Sequence, residues 1–297
     1  MRRRILVTGA TGFVGQYVTR ELKRLGEVVP LGRKKIHTSD IIFDLTHQPT
    51  QSDRTKLPFS VDAVVHLAAL TQKTKNDRTS PEEYLLQNVL GTGNLLDLLD
   101  KTLIKQFIYV STHDVYGDAN GEPITEETAS NPQTPYAKSK YEAEQLCAEW
   151  AARRGIPFCI ARLGLVYGPG EEAYEKVIPQ YIRMALNGQP LEVFGNGEVT
   201  RDFIYVTDAA CAIRVLIENK AIGVYNIVSG ETVMIEDLAK YINKLTGNPA
   251  GIRFAQAAGN QMNICFDTTK LQRLGFVPKT SVKKGLSQEI SWFKKHL

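Results

Sequence analysis

The first half of the chain alternates short apolar runs with longer segments in which apolar residues recur at helical spacing. The runs are apolar at nearly every position, which is typical of strands buried on both faces of a parallel sheet. They are Ile5–Val7, Val28–Leu31, Ile41–Phe43, Ala63–Ala69, Phe107–Val110 and Phe158–Ala161. Helical segments follow the first run and also cover Pro81–Leu99 and Tyr136–Arg154. Alternating strands and helices predict an α/β fold, a doubly wound parallel sheet with helices on both faces.

The regular alternation ends near Gly164, and the remaining elements are shorter and more mixed. Gly168-Pro169-Gly170 interrupts the chain at this point. After it we expect helices at 174–187, 208–218, 235–245 and 282–295, and strands at 191–194, 203–206 and 224–228. The chain is therefore expected to form a sheet domain over residues 1–165, to which elements near 200–222 return, and a smaller α/β lobe over residues 166–297.

Composition narrows the choice of partners. Lysine and arginine number 36 against 32 aspartate and glutamate, too small an excess for a dedicated nucleic-acid binder, although it suits a small anionic ligand. The four cysteines lie far apart, so we expect a reduced protein without a structural metal. No apolar run approaches the ~18 residues that span a membrane, and the basic start precedes a run too short for an export signal. We therefore expect a cytoplasmic protein that neither crosses a membrane nor binds nucleic acid.

A glycine-rich turn follows the first strand and opens the first helix. Glycines allow a tight turn and a close approach of a pyrophosphate, while the helix N-terminus supplies N–H groups and partial positive charge for phosphates. Three glycines at this spacing also arise by chance, so the strand before the turn and the helix after it carry the interpretation. That context predicts a Rossmann-like, dinucleotide-binding domain. The residues expected to bind the dinucleotide here are Gly9, Thr11, Gly12, Phe13, Val14 and Gly15.

The end of the second strand indicates which dinucleotide binds. An acidic residue there accepts hydrogen bonds from the ribose 2′-hydroxyl of NAD, whereas cations pair with the 2′-phosphate of NADP. The segment reads Arg33-Lys34-Lys35, so NADP(H) is favoured, with Arg33 as its ligand. NAD(H) remains possible, because a solvated basic loop is the alternative interpretation. Asp44 and Leu45 follow the third strand and are candidate cofactor contacts, although Asp44 also suits a structural turn.

Tyr136 and Lys140 lie four residues apart on a helical segment and therefore share a face. A neighbouring ammonium lowers the pKa of a phenol, which would make Tyr136 a usable general acid and base. Lys140 can also reach the cofactor ribose. Ser111 and Thr112 end a strand at the carboxyl edge of the sheet, where ligands of such folds bind. Thr112, and Ser111 beside it, would complete the catalytic set by holding the substrate oxygen.

Several short motifs occur together along the chain. They are Gly9-x-x-Gly12-x-x-Gly15, His66-Leu67-Ala68-Ala69, Asn88-x-x-Gly91-Thr92, Ser111-Thr112 before Val115-Tyr116-Gly117, Tyr136-Ala137-Lys138-Ser139-Lys140 and Arg201-Asp202-Phe203. In this order they resemble the extended short-chain dehydrogenase/reductases, the NAD(P)-dependent epimerase/dehydratase group that acts on nucleotide sugars. The resemblance covers nearly the whole chain and is most specific over the first 165 residues.

The resemblance implies roles for individual residues. It implies Tyr136 as the acid and base, Lys140 as its partner and Thr112 as the ligand of the substrate oxygen. The implied cofactor contacts are Leu67, Ala68 and Ala69, and the implied substrate contacts are Thr71, His113, Tyr136 and Arg201. Arg201 matches an arginine that binds the substrate diphosphate, a task that suits a guanidinium. An ion pair with a neighbouring aspartate is the alternative for Arg201.

Several reactions fit this machinery. A 4-ketoreductase consumes NADPH, whereas a UDP-hexose 4-epimerase retains NAD and returns the hydride to the other face of the sugar. The basic end of the second strand favours the reductase. A 4,6-dehydratase needs an acid and a base where its relatives have Asp-Glu and this chain has His113-Asp114. A non-catalytic dinucleotide-binding sensor is the alternative from another class, and the presence of Tyr136 and Lys140 argues against it.

Other residues have a structural and a functional interpretation. His66 is expected to be a packed or backbone-bonding histidine, and Asn88 either organises the site through water or joins two helices by a buried hydrogen bond. Pro81–Leu99 and Tyr136–Arg154 carry enough apolar positions to pack against a second subunit. Because related enzymes often pair through these two helices, the resemblance implies a homodimer.

Overall fold

The computed structural model of the protein describes residues 2–34, 40–72, 78–119, 123–171, 174–256 and 262–296. Within these ranges the strands are β1 (Arg3–Thr8), β2 (Gly26–Gly32), β3 (Ile41–Ile42), β4 (Ser60–Val61), β5 (Ala63–His66), β6 (Leu103–Ile104), β7 (Phe107–Thr112), β8 (Phe158–Leu163), β9 (Leu165–Tyr167), β10 (Leu191–Phe194), β11 (Thr200–Tyr205), β12 (Gly223–Ile227), β13 (Thr232–Met234) and β14 (Ile252–Ala255).

The helices of the same ranges are α1 (Phe13–Leu22), α2 (Gln51–Arg54), α3 (Pro81–Tyr84), α4 (Gly91–Leu98), α5 (Pro135–Arg153), α6 (Val177–Leu186), α7 (Val206–Glu218), α8 (Ile235–Thr246), α9 (Thr269–Gln272) and α10 (Val282–His296). A π-helical segment, Leu85–Leu90, joins α3 to α4, and a 3₁₀ turn covers His113–Tyr116. None of the helices in the described ranges combines the length and the hydropathy of a membrane span.

Seven parallel strands form the main sheet, in the order β12-β8-β7-β5-β1-β2-β3. The strand order reverses at β1, because the chain continues to β2 on one side and later returns to pair β5 on the other. Ligands of open α/β sheets bind at such a reversal, beyond the carboxyl ends of the strands. The predicted doubly wound, Rossmann-like sheet is therefore confirmed, and its topology points to the ends of β1 and β5.

Both faces of this sheet are buried, which explains the apolar runs. Along β1, Ile5 and Val7 pack in one cluster with α1 and α7, whereas Leu6 packs in another cluster with α4 and α5. Successive side chains of a strand point to opposite faces, so a strand covered on both sides needs apolar residues throughout. Helices on both faces are the defining feature of a doubly wound sheet.

Residues after β8 contribute to both the main sheet and a second group of elements. The strand β12 extends the sheet beside β8, and α7 packs with α1 on one of its faces. Outside the sheet, β13-β11-β9 and β10-β14 form two small sheets. The helices α6, α8 and α10 enclose a separate apolar cluster with these strands. The division of the chain at residues 165 and 166 into two domains stays a prediction.

Two of the differences from the predicted elements lie beside the reversal of the sheet. The strand expected over Ala63–Ala69 ends at His66, because the next residues bend across the glycine turn after β1. The single helix expected over Pro81–Leu99 contains the π-helical segment. Its buried Asn88 hydrogen-bonds to the backbone of Leu70, in the loop that follows β5. Neither contact is visible in the periodicity of the chain, since both join residues distant in sequence.

A buried ion pair joins α5 to β8 and gives a prediction about stability. Glu144 and Arg162 are almost completely buried and make a two-pronged pair, with N–O distances of 3.1 and 2.7 Å. We predict that Glu144→Ala lowers the free energy of unfolding by roughly 3–5 kcal/mol, because it leaves the guanidinium buried without a counter-ion. The exposed pair Lys56–Asp53 is the control, and Lys56→Ala should cost less than about 1 kcal/mol. Urea unfolding measures both; similar losses in the two variants would contradict the prediction.

Candidate active site

Two glycines build the turn between β1 and α1, because neighbouring backbone occupies the space that their Cβ atoms would need. Gly9 has a φ of 68°, and a Cβ on it would lie 2.6 Å from the amide nitrogen of Ala68. A Cβ on Gly15 would lie 2.0 Å from the carbonyl oxygen of Gly9. No side chain caps the N-terminus of α1 at Gly12. The first amides of this helix are therefore available to an anion at the switch point of the sheet.

Two adjoining cavities lie along the carboxyl edge of the sheet. The first has a volume of about 480 Å³ and the second of about 740 Å³, both within the range of ligand pockets. They share the lining residues Gly9, Gly12, Leu67, Ala69, Thr71 and Tyr174. Because the glycine turn borders both cavities, one extended ligand centred on the N-terminus of α1 can occupy the two.

The second cavity gathers the residues predicted to bind the adenosine end of a dinucleotide. Thr11, Arg33, Leu45 and Ala68 line it together with Lys34, whereas Lys35 lies outside the described residues. Asp44 lines it as well, and its carboxylate accepts hydrogen bonds from the amide and the hydroxyl of Thr46 at 3.0 and 2.9 Å. The bond from the Thr46 amide lowers the pKa of Asp44, and the charge of Arg33 acts in the same direction. Asp44 therefore both stabilises a turn and lines the cavity.

The first cavity brings together the four residues predicted to be catalytic. Ser111, Thr112, Tyr136 and Lys140 all line it, and so do the predicted contacts Phe13, Val14, Gly15, Thr71 and His113. Thr112 ends β7, and α5 begins one residue before Tyr136, where the Thr134 hydroxyl caps the helix. The buried hydroxyl of Ser111 has no hydrogen-bond partner within the described residues. A ligand oxygen in this cavity would satisfy it.

Lys140 is buried under the floor of the cavity. Its Nζ donates a hydrogen bond to the carbonyl oxygen of Val110 at 2.8 Å and lies 4.2 Å from the centre of the Tyr109 ring. Burial lowers the pKa of Lys140 to about 8, although the carboxylate of Glu144 opposes this shift. The strand therefore holds Lys140 in place, and burial brings its pKa close to neutral pH.

The phenol of Tyr136 behaves differently from the prediction. Burial raises the pKa of Tyr136, the carboxylate of Asp114 raises it further, and Thr112 acts against both. The expectation that Lys140 lowers this pKa was wrong for the protein as it stands, because desolvation and a nearby negative charge both favour the neutral phenol. Tyr136 is consequently held protonated, as a proton donor requires.

A buried hydrogen-bond network fixes the loop after β5. The Thr92 hydroxyl donates to the carbonyl oxygen of Asn88 at 2.6 Å, so it accepts from Nε2 of His66 at 2.9 Å. Nδ1 of His66 then accepts from the Thr8 hydroxyl at 2.6 Å, and that hydroxyl accepts from the amide of Ala68 at 3.1 Å. Burial lowers the pKa of His66 to about 3, with a further contribution from the charge of Lys140. His66 is thus a neutral, packed histidine, as expected, and its ring nitrogens bond two threonine hydroxyls.

Asn88 shows the second of its two expected roles. Its amide donates to the Ser139 hydroxyl on α5 at 2.9 Å and to the carbonyl oxygen of Leu70 at 3.0 Å, and its oxygen accepts from the Leu70 amide at 2.7 Å. Ser139 in turn donates to the carbonyl oxygen of Tyr136 at 2.8 Å. The buried hydrogen bond between helices therefore also couples the loop after β5 to the first turn of α5.

Arg201 is the predicted site residue that the structure places elsewhere. Its guanidinium donates to the backbone carbonyl oxygens of Thr200 and Met262, and it does not belong to the described lining of either cavity. The neighbouring Asp202 accepts instead from Ser229 and Gly230. Both hydrogen bonds come from one terminal nitrogen, Nη1, so binding of a diphosphate would require the rest of the guanidinium to reach the cavity.

The cavity also contains residues that the sequence analysis missed. Tyr174 and Lys176 line it from the loop between β9 and α6, and Nζ of Lys176 lies 5.0 Å from the centre of the Tyr174 ring. The same amine donates to the carbonyl oxygen of Val166 at 3.2 Å. The helix expected from residue 174 begins only at Val177, and nothing in the local sequence indicated that the loop before it reaches the carboxyl ends of β1 and β7.

Comparisons with known proteins agree with this geometry. The family model described as "NAD dependent epimerase/dehydratase family" matches residues 5–228. A UDP-N-acetyl-alpha-D-glucosaminuronate decarboxylase of Bacillus cytotoxicus is 32% identical, over 99% of this chain and 98% of that protein.

Two solved structures extend the likeness to the whole fold. A UDP-N-acetylglucosamine 4-epimerase from Methanobrevibacter ruminantium, in complex with UDP-N-acetylmuramic acid, has a TM-score of 0.88 at 26% identity over 100% of both chains. A UDP-glucuronic acid 4-epimerase from Bacillus cereus, in complex with UDP-glucuronic acid and NAD, has a TM-score of 0.86 at 27% identity over 99% of this chain and 100% of that one. This chain belongs to the NAD-dependent epimerase/dehydratase family and is an enzyme of the extended short-chain dehydrogenase/reductase kind.

Proposed function

We propose that the enzyme is an NADPH-dependent 4-ketoreductase of a nucleotide-activated sugar. The observation that carries the proposal is the pair of adjoining cavities. One has Arg33 and Lys34 at the end of β2, and the other holds Tyr136 and Lys140. Cations in place of an acidic residue at the end of β2 suit the 2′-phosphate of NADP. Cofactors consumed in reductive steps are exchanged at each turnover, and a phosphate contact is compatible with that exchange.

The residues of the cleft fit a nicotinamide dinucleotide. The amides that open α1 and the glycine turn would receive the pyrophosphate, while Leu67, Ala68 and Ala69 would lie against the adenosine and ribose. When bound, the cofactor supplies the hydride. Lys140 would donate to the ribose, since an ammonium group has three N–H donors and the carbonyl oxygen of Val110 takes one of them.

Tyr136 would give its phenolic proton to the substrate oxygen as the carbonyl is reduced. Thr112 and Ser111 would hold that oxygen, because both hydroxyls end β7 at the wall of the cavity. The raised pKa of Tyr136 keeps the proton on the phenol until the substrate oxygen becomes the stronger base. In carbonyl reduction the proton therefore moves from Tyr136 to the substrate oxygen.

The nucleotide part of the substrate would lie on the lobe side of the first cavity. Thr71 and His113 line this cavity, and Lys176 supplies a cation for a diphosphate. Arg201 would join them by reaching this cavity. The printed names of the solved relatives include UDP-sugars, which supports a nucleotide sugar as substrate class.

A UDP-hexose 4-epimerase with retained NAD is the second candidate. It is supported by the two solved relatives, both of which are named 4-epimerases, and one of which is a complex with NAD. A 4,6-dehydratase would use His113 and Asp114, which line the same cavity as Tyr136. Product analysis separates the three reactions, since only ketoreduction oxidises NADPH in proportion to product.

The cofactor is the first prediction. We expect NADPH to bind at least ~10-fold more tightly than NADH, and Arg33→Ala to weaken NADPH binding roughly 10- to 100-fold through loss of a charge-assisted hydrogen bond, with little effect on NADH. Fluorescence titration measures both affinities. Lys23→Ala removes an exposed cation from the end of α1 and should change neither value. Tighter binding of NADH by the unaltered protein would contradict the assignment.

The catalytic role of Tyr136 is the second prediction. With NADPH and a nucleotide-linked 4-keto-6-deoxyhexose, we expect steady NADPH oxidation that Tyr136→Phe slows roughly 10²- to 10⁴-fold, because the proton donor is gone. The affinity for NADPH should stay within about 3-fold. Tyr141→Phe, a neighbour on α5 outside the cavity lining, is the control. Interconversion of UDP-hexoses without net redox change would favour the epimerase instead.

The oligomeric state is the third prediction, and we propose a homodimer. Leu85, Leu86 and Leu90 of the π-helical segment are 42%, 43% and 59% exposed, an apolar face next to α5. We expect sedimentation of the unaltered protein at twice the chain mass of 33.1 kDa, and a shift to the monomer in Leu90→Glu. Leu103→Glu alters a leucine that is 55% exposed on β6 and should leave the dimer intact. Monomeric behaviour of the unaltered protein would refute the homodimer.

A further inference from the structure

The amine of Lys140 lies over the aromatic ring of Tyr109. Its Nζ is 4.2 Å from the centre of that ring and donates a hydrogen bond at 2.8 Å to the carbonyl oxygen of Val110, the next residue of β7. A cation within about 6 Å of an aromatic ring centre is attracted by the negative charge of the ring face. One strand therefore contacts the amine twice, through a carbonyl oxygen and through a ring.

The ring of Tyr109 is itself held by its neighbours. His66 lies opposite Tyr109 in the register of β5 and β7, and the two ring centres are 5.5 Å apart. Both ring nitrogens of His66 are bonded to threonine hydroxyls, which fixes the imidazole. Tyr109 is 1% exposed and packs in one cluster with Phe107 and the apolar side of α5. The ring therefore cannot turn away from Lys140 without disturbing a closely packed core.

The contact with Lys140 uses the ring of Tyr109 and not its hydroxyl. The hydroxyl is buried and has no hydrogen-bond partner within the described residues. Burial raises the pKa of Tyr109, so its phenol is neutral. Tyr109 also lies outside the described lining of both cavities, whereas Lys140 lines the first of them. Tyr109 is therefore a residue that can act on the cleft through Lys140, and not by touching a ligand.

The groups around Lys140 make the contact with the ring important. Burial lowers the pKa of Lys140 to about 8, and the charges of Glu144 and Cys147 oppose this shift. However, both oxygens of Glu144 are already bonded by the guanidinium of Arg162, at 3.1 and 2.7 Å. Burial raises the pKa of Cys147 and lowers that of His66, so both of these groups are neutral. The aromatic ring is thus a direct contact that favours the charged amine against desolvation.

We propose that Tyr109 is a positioning residue whose ring face keeps Lys140 protonated and directed at the cofactor. The proposal rests on the role proposed above for Lys140, as a donor to the cofactor ribose. An ammonium group has three N–H donors, whereas a neutral amine has two. One N–H is bonded to the carbonyl oxygen of Val110 and one lies over the ring. A charged Lys140 therefore keeps a third N–H for the ribose, and a neutral one does not.

The test weakens the ring face with little change in the shape of the ring. Tyr109→Phe keeps the ring, and trifluorophenylalanine at position 109 carries fluorines that withdraw negative charge from its face. Nuclear magnetic resonance of protein with isotope-labelled lysine follows the titration of Lys140 without cofactor or substrate, and Lys140→Arg identifies its signal. We expect the pKa of Lys140 to stay within about 0.3 in Tyr109→Phe and to fall by about 0.5–1 with trifluorophenylalanine, a roughly 3- to 10-fold rise in the acid dissociation constant.

Trifluorophenylalanine at position 107 is the matched control. Phe107 lies on the same strand and in the same cluster as Tyr109, but its ring packs against Trp150. The control should leave the pKa of Lys140 unchanged. Both replacements keep a ring of nearly the same volume, so the core stays filled. A pKa of Lys140 that does not fall with trifluorophenylalanine at position 109, or that falls as far with the control, would overturn the proposal.

Cofactor affinity at different pH values gives a second readout. For the dinucleotide that the unaltered enzyme binds more tightly, affinity should decrease as the pH rises through the pKa of Lys140. With trifluorophenylalanine at position 109 this decrease should begin at a lower pH, and affinity well below the pKa should stay within about 3-fold. Equal loss of affinity at every pH, as a merely structural role would give, or no loss, would overturn the proposal. Absence of NADPH oxidation with the keto sugar would instead refute the ketoreductase, and both measurements would still decide the role of Tyr109.

Discussion

Where β1 and β5 end side by side, two stretches of backbone pass so closely that no side chain fits between them. A Cβ on Gly9 would lie 2.6 Å from the Ala68 nitrogen, so the turn after β1 and the loop after β5 can meet only because residue 9 is glycine. The Thr8 hydroxyl joins the two strands at the same level, since it binds both His66 and the Ala68 amide. The position of α1 and the shape of both cavities depend on this contact.

The polar groups beneath the cleft are organised by burial more than by pairwise attraction. His66 is kept neutral in the interior, with each ring nitrogen assigned a single partner, and such fully satisfied networks hold one conformation. Lys140 is pinned to the strand backbone below the phenol, and its reduced pKa reflects its removal from water. The same desolvation raises the pKa of Tyr136. A single cause, low local polarity, thus brings the amine toward neutrality and keeps the phenol protonated.

A second buried cluster supports the loop that closes the first cavity. Glu171, in the loop after β9, and Glu289, on α10, are both fully buried, and their carboxyl groups act on each other electrostatically. Burial raises the pKa of both, and for Glu289 the charge of Glu171 adds to the effect. Nζ of Lys176 lies 3.6 Å from Glu171, which connects the cluster to the cavity wall. Burial and a neighbouring like charge both favour the protonated form of a carboxyl group.

Periodicity and local motifs determined a large part of this protein. The parallel sheet follows from runs that are apolar on both faces, and the glycine turn follows from its place between a strand and a helix, because both are local consequences of side-chain size and burial. The pairing of Tyr136 with Lys140 on one helical face is equally local. Only the tertiary structure decided the electrostatic state of these groups, since desolvation of Tyr136 and the nearness of Asp114 arise from chain segments far apart in sequence. It also decided that the Tyr174–Lys176 loop reaches the cavity and that Arg201 binds backbone carbonyl oxygens. Contacts between distant segments determine the polarity around a side chain and which loops reach the cavity. The spacing of residues along the chain determines neither.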